Sequence, residues 1–268
     1  MAVLPSPPRH RFLPALTLVQ LEQIDRRSAV LVLPVASVEQ HGPHLPLYTD
    51  SLVVEAVLAE AVARAGERLN IWTLPLLAYG RSTEHGHFPG TLTLSAATLA
   101  RVLLEIAGGL SRSGFRKLVL LNGHGGNVST LDTVARDIRA ETGMLVFVTG
   151  TGLSANLPEG TMDPLELQWG LHAGALETSA VLAVAPHAVD LERASGHRPR
   201  FVEQFDLVGP TKGMVRVAWL ADDLAANGVI GDPTAASEEL GRVALEGAVS
   251  FLCAALEEVA AFEFPRGR

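Results

Sequence analysis

Ala29-Val-Leu-Val-Leu-Pro34, running directly into Val35-Ala-Ser-Val-Glu-Gln-His-Gly-Pro-His-Leu-Pro-Leu-Tyr-Thr-Asp50, is the stretch whose reading decides the fold. The first part is short, apolar and rich in β-branched residues, the pattern of a strand buried on both faces. The second part breaks that pattern with Gly42, Pro43 and Pro46, because each proline removes an N–H and fixes φ. Within a dozen residues the loop offers Glu39, His41, His44 and Asp50. Loops at the carboxyl ends of buried strands are where open α/β sheets place ligands, and carboxylates with imidazoles form the donor set that Zn, Mn or Fe(II) accepts. On spacing alone, a loop of ordinary hydrogen-bonded side chains explains the stretch as well as a metal loop does.

Working outward, the same rhythm recurs. Leu52 to Arg64 is apolar at helical intervals, with Asp50 or Ser51 as the expected cap. Ile71 to Ala78 reads as a second strand and opens into the polar loop Tyr79 to Thr91; Ser95 then caps a helix over 96–112. Arg116 to Leu121 reads as a third strand, running into Asn122-Gly-His-Gly-Gly-Asn127, a helix over 128–142 and a strand from Met144 to Val148. Strand, polar loop and helix in alternation predict a three-layer α/β/α fold, a mostly parallel sheet with helices on both faces. A helix is expected from Ala173 to Ala185 and another from Ala236 to Ala261. Residues 195–234 show no period and are expected to wrap the surface or an oligomer interface. Residues 1–16 read as an irregular lead-in and 1–268 as a single domain, without repeats or linkers.

Composition narrows the function. The chain has 268 residues, 48% of them hydrophobic, enough for a large core. Acidic residues outnumber basic ones, 29 to 21, and the net charge of −8 argues against binding a phosphate backbone. The lone cysteine, Cys253, excludes an internal disulfide framework and reads as a small core residue. The proline-rich start resembles no secretory signal, and no apolar run of about 18 residues is present to span a bilayer. The expectation is a soluble cytoplasmic protein with no nucleic-acid or membrane partner.

Several residues carry chemistry. The glycines of Asn122–Asn127 permit a tight turn that would suit an anion, but the loop lacks the lysine or serine of a phosphate loop, which favours His124 as a ligand. His172 precedes Glu177 by five residues, neither on one helical face nor opposite it. No Gly-x-Ser-x-Gly elbow and no His-Glu-x-x-His helix occurs.

Glu39-Gln-His-Gly-Pro-His-Leu-Pro-Leu with Thr49-Asp50, then Phe88-Pro-Gly-Thr91, Asn122-Gly-His-Gly-Gly-Asn127, His172-Ala-Gly with Glu177-Thr-Ser179, and Gly228-Val-Ile-Gly-Asp-Pro233 together resemble the creatininase (creatinine amidohydrolase) family. The motifs span about residues 15–260 in the family's order. The resemblance implies a compact α/β/α hydrolase, assembled as a homohexamer, that uses divalent metal to cleave carbon–nitrogen bonds other than peptide bonds in cyclic or linear small-molecule amides. It implies two divalent ions per subunit, Zn, Mn or Fe. Glu39 and His41 would each hold a different ion, Asp50 would bridge both and His124 would add an imidazole. His172 would shuttle a proton to the leaving nitrogen. Creatinine-cleaving members carry a glutamate where this chain has Gly126, which makes Glu177 the candidate for the missing carboxylate, as metal ligand or as a catalytic group. Those members also place a tryptophan where this chain has Gln168, with Trp169 displaced by one, which argues against creatinine itself. Glu84, His85 and Trp169 are the candidate substrate contacts. The alternatives are a peptidase of the mycofactocin-maturation type, a deformylase acting on a formamide of a pyrimidine nucleotide, and a non-catalytic metal- or ligand-binding scaffold.

Overall fold

A computed structural model describes residues 9–66, 68–154, 157–199, 204–210 and 215–265. The first eight residues of the expected lead-in lie outside these. Its sheet has four parallel strands, β1 (Val30–Val35), β2 (Ile71–Thr73), β3 (Lys117–Asn122) and β4 (Leu145–Gly150), in the order β2-β1-β3-β4. In register, Val35 lies opposite Asn122, and Asn122 opposite Gly150.

The period-two alternation of β1 sorts the core into two halves. Leu31 and Leu33 face one side with Leu118 and Leu120 of β3, under α3 (Ala96–Arg112) and α4 (Val128–Thr142). Val30 and Val32 face the other with Val119 and Leu121, under α2 (Thr49–Ala65) and α8 (Glu238–Ala261). Both faces are covered, so between Lys117 at the start of β3 and Asn122 at its end the central strands carry no polar side chain, as a parallel sheet requires. This is the three-layer α/β/α architecture expected. The remaining helices are short: α1 (Leu18–Glu22), α5 (Pro164–Trp169), α6 (Ala175–Val184), which packs along α8, and α7 (Ala221–Leu224).

Two expectations are corrected. The second strand stops at Thr73 rather than Ala78. Pro75 cannot donate to the ladder, and pairing resumes only as a single bridge from Leu77 to Val35. Nor does Asp50 cap α2. It lies inside the first turn, the residue before the helix is Tyr48, and no side chain caps that end. The Asp50 carboxylate is engaged elsewhere.

The strand order places the site. From β1 the chain crosses by α2 to β2 on one side, then returns by α3 to β3 on the other. The loops leaving β1 and β3 therefore diverge and open a crevice at the carboxyl ends of adjacent strands.

Candidate active site

Four loops meet in that crevice. The β1 loop brings Glu39 and His41 and enters α2 at Asp50; the turn at Thr83–His85 brings Glu84 and His85; the β3 loop brings His124; the start of α6 brings His172 and Glu177. Glu39, His41, Asp50, His85, His124 and His172 are all buried. Three overlapping groups have ligand atoms within 4.8 Å of one another: Glu39, Asp50 and His124; His41, His172 and Glu177; and Glu39, His85 and His172.

The arrangement of the imidazoles is specific. His41 Nδ1 lies 3.2 Å from the Glu39 carbonyl, so its N–H donates there and Nε2 faces Asp50 Oδ1 at 3.2 Å. His124 Nε2 lies 3.0 Å from the Arg81 carbonyl, leaving Nδ1 at 3.1 Å from Asp50 Oδ2. Each histidine is thus oriented by a backbone carbonyl and presents its other nitrogen to a different oxygen of one carboxylate. Histidines that bind metal are fixed in this way by their outer partners. His172 donates Nε2–H to the Gln40 carbonyl at 2.7 Å and turns Nδ1 toward Glu39 Oε1, 3.6 Å away. The Gln40 amide donates to His85 Nδ1 at 2.8 Å, so the His85 proton sits on Nε2, facing Glu39. The ring of His172 lies between those of His41 and His85, with centroids at 4.3 and 4.1 Å.

Electrostatics divides these groups. Burial opposes charge on His41, but the Asp50, Glu177 and Glu39 carboxylates outweigh it and lift the pKa to about 9. His124 is raised well above the ordinary range, with Glu39 and Asp50 overcoming its burial. Burial would push Asp50 up, yet the two imidazoles hold its carboxyl well below the usual range. His172 moves the other way: burial first, then the charge on His41, keeps it well below its ordinary value and neutral. Burial raises Glu177.

Local sequence explains the placement. Asn122 clamps the backbone of His124 from both sides, accepting from its N–H at 3.1 Å and donating to its carbonyl at 2.7 Å. Asn127 accepts from Arg81 N–H at 2.8 Å and donates to the Ala36 carbonyl at 3.0 Å, tying three loops together. The Ser82 hydroxyl donates to Glu39 and accepts from Ser37. Ala173 adopts φ +53°, sparsely populated for a residue with a side chain, and its N–H donates to Glu177 Oε2 at 2.6 Å. That turn, rather than helical spacing, unites His172 with Glu177.

A cavity of about 680 Å³ opens over the cluster, lined by Glu39, Asp50, Glu84, His85, His124, His172 and Glu177 together with Arg81, Arg216 and Trp219. A second, of about 330 Å³, shares Asp50, His124 and Glu177 with it. Trp169 is not brought to the cluster. It lines a separate cavity with Asp163, Glu166 and His197. The aromatic wall of the site is instead Trp219, whose ring meets His85 edge-on at 6.4 Å. It comes from residues 195–234, which do more than wrap the surface. Arg216 and Trp219 lie there, and the Ile230 carbonyl accepts from His172 N–H at 3.1 Å. His44 points away from the cluster to Thr178 Oγ1 at 2.9 Å.

Comparison with known proteins gives the family. Residues 14–256 match the family model of creatininase, creatinine amidohydrolase. The chain belongs to the creatininase family. It is 33% identical to a creatinine amidohydrolase of Pseudomonas putida over 88% of this chain and 90% of that one. It is 36% identical to a mycofactocin precursor peptide peptidase of Mycobacterium tuberculosis, over 82% and 81%. A crystal structure of creatininase superposes with a TM-score of 0.73 at 30% identity, covering 94% of this chain and 99% of that one. Solved creatininases include a manganese form and a zinc–zinc form of a mutant.

The creatininase-family chain has its own feature at Gly126. A Cβ built there would lie 2.5 Å from His124 Nε2, and nearer still to Glu84 Oε1 and the Arg81 carbonyl oxygen. The Glu84 carboxylate, 3.4 Å from His124 Nε2, takes the space that a side chain at 126 would need. The cluster also suits cations. Glu39 Oε1, His41 Nε2 and Asp50 Oδ2 are buried without a hydrogen-bond partner among the described residues. Buried lone pairs of this kind are costly unless a cation meets them.

Proposed function

We propose that the chain is a metal-dependent amidohydrolase that binds two divalent ions, Zn, Mn or Fe, and cleaves a carbon–nitrogen bond of a cyclic or linear amide other than creatinine. The observation that carries this reading is Asp50, with one oxygen toward His41 and the other toward His124, each imidazole oriented by a backbone carbonyl. Glu39, Asp50 and His124 would hold one ion; His41, Glu177 and the shared Asp50 the other. Ions in such a site acidify water and polarise a carbonyl.

The chain's own groups supply the rest. His172 stays neutral beside this charge, with Nε2 committed to Gln40 and Nδ1 available in the cavity, so it can take a proton and pass it to the departing nitrogen. Its neighbour Glu177 is pinned by Ala173 N–H and serves as ligand rather than shuttle. Glu84 and His85 line the same cavity and are the proposed substrate contacts, joined by Trp219 in place of Trp169.

A peptide-like amide is the second reading favoured by observation. Two cavities meet at the cluster, giving room on both sides of the scissile bond, and several relatives are peptide peptidases. We further propose a single domain and a homohexamer, the latter measurable by light scattering. The test of function is metal content followed by hydrolysis of creatinine, formamides, linear amides and short peptides. Metal-dependent turnover of an amide or short peptide other than creatinine is expected. A protein that binds no Zn, Mn or Fe(II) when these are resupplied sinks the reading.

A further inference from the structure

We propose that Arg81 and Arg216 form an oxyanion-binding pair on the walls of the 680 Å³ cavity, so that the preferred amide carries a carboxylate or phosphate group remote from the scissile bond. This rests on the amidohydrolase reading for what lies at the cavity floor, and on the two arginines for everything else.

The cavity is lined by the carboxylates Glu39, Asp50, Glu84 and Glu177, and Arg81 and Arg216 are the cationic side chains of the lining that lie outside the histidine cluster. Neither arginine forms an ion pair among the described residues, although Arg64, Arg68, Arg101, Arg193 and Arg242 all do. The absence is informative for Arg81, which shares its cavity with four carboxylates and pairs with none. Its backbone is bolted to the site through Asn127 and through its carbonyl to His124. Its guanidinium reaches over the β3 loop to the Gly126 carbonyl, at 3.4 Å, which uses one N–H and leaves the remainder of a planar fork free.

Arg216 stands on a different element, the short strand Val215–Arg216, next in sequence to the segment that carries Trp219. Arginines from two different elements, sharing one cavity with an indole that meets His85 edge-on, match a substrate that is charged at one end and neutral at the other. The arginines hold the anionic end by charge-assisted hydrogen bonds, which leaves the neutral amide over the cluster.

The test is calorimetric binding to metal-loaded wild type, Arg81→Gln, Arg216→Gln and the double variant. The probes are matched pairs: succinamate against neutral succinamide for a carboxylate, and N-acetyl-O-phosphoethanolamine against N-acetylethanolamine for a phosphate. Wild type is expected to prefer the charged member of at least one pair by about ten- to hundredfold, the range of a charge-assisted hydrogen bond. Each single variant should lose much of that preference and the double variant all of it. The pair with the larger effect names the anion. Equal binding of charged and neutral probes by wild type overturns the proposal. So does a preference that survives in the double variant, which would assign it to the metals. Metal content and hydrolysis of the same probes are read on the same samples. Absence of metal or turnover counts against the amidohydrolase reading, while the arginine-dependent preference is judged separately.

Discussion

Two adjacent glycines make opposite predictions. A Cβ on Gly125 meets nothing within 4 Å, while one on Gly126 collides with Glu84, the Arg81 carbonyl and His124. Glu84 is the end of a flexible side chain and can swing away. The Arg81 carbonyl cannot, because that residue's N–H is held by Asn127 and its oxygen faces His124. The collision must therefore be relieved by moving the β3 loop, and with it an expected metal ligand. Overpacking of this kind costs about 1–3 kcal/mol, less about 0.4–1 kcal/mol gained by removing a glycine from the unfolded chain. A net loss of about 1–2 kcal/mol corresponds to a fall of about 2–8 °C in Tm for a chain near this size. Gly125→Ala has only the gain and should be neutral or slightly stabilised.

The assay is thermal unfolding of both variants in parallel with metal affinity by chelator competition. Displacing His124 is expected to weaken metal binding by about 10- to 100-fold in Gly126→Ala, the effect typical of disturbing a ligand's support. Gly125→Ala should match wild type. If Gly126→Ala is as stable and as tightly metallated as Gly125→Ala, the close packing of Glu84 and His124 over Gly126 is wrong.

Asp50→Asn removes the charge shared by His41 and His124 and should lower metal content from about two ions per subunit to less than one by elemental analysis; retention of both would refute the bridging role. His172→Gln should reduce kcat by about 10²- to 10⁴-fold with metal content unchanged. Metal lost in parallel would make His172 a ligand instead of a shuttle. In the metal-free protein the carboxylates around His41 stabilise its charged form, with a pKa of about 9, so metal must expel that proton. Below pH 9 metal affinity should therefore rise with pH, by up to about tenfold per unit for this proton. A flat affinity profile between pH 6 and 8 would show that His41 does not ligate.

The fold was legible because a parallel strand covered on both sides needs an unbroken apolar run, and β1, β3 and the polar loops after them have that form. The family's motifs are ligand loops, so Glu39, His41, Asp50, His124, His172 and Glu177 could all be picked out, and the structure brings them together. What escaped was whatever acts by reaching across the sequence. Asn122 and Asn127 read as turn residues but act as braces. Ser82 holds Glu39 across 43 positions. Arg216 and Trp219 come from a segment with no period at all, where nothing local marks a wall of the site. Trp169 stands in sequence one place from an expected tryptophan. The short helix Pro164–Trp169 instead directs it to another cavity, while Glu166 of the same helix staples Ala175 N–H and Asp232 N–H, both at 2.9 Å.

Asp50 shows why local and tertiary readings of one residue can share a cause. An aspartate at the start of an apolar helix is favoured because the exposed N–H groups and the peptide dipoles make that end positive. The expectation of a cap was built on that preference, and the cap is absent. The preference is satisfied differently: the carboxylate lies in the first turn of α2, where the same field favours its ionised form, and it is turned toward two imidazoles. A buried carboxylate that must stay charged needs support from more than its ligands, and the helix start supplies it without adding a competing donor side chain. The missing cap on α2 is thus part of the site. Tyr48, at φ −96° and ψ 15°, lacks the extended backbone from which a serine hydroxyl reaches the N–H groups of the next turn. Tyr48→Ser should therefore leave α2 uncapped and lower Tm through lost packing against Leu45, Leu52 and Val53, with metal affinity unchanged by chelator competition. A variant that gains stability would show that a serine caps α2 from this geometry after all.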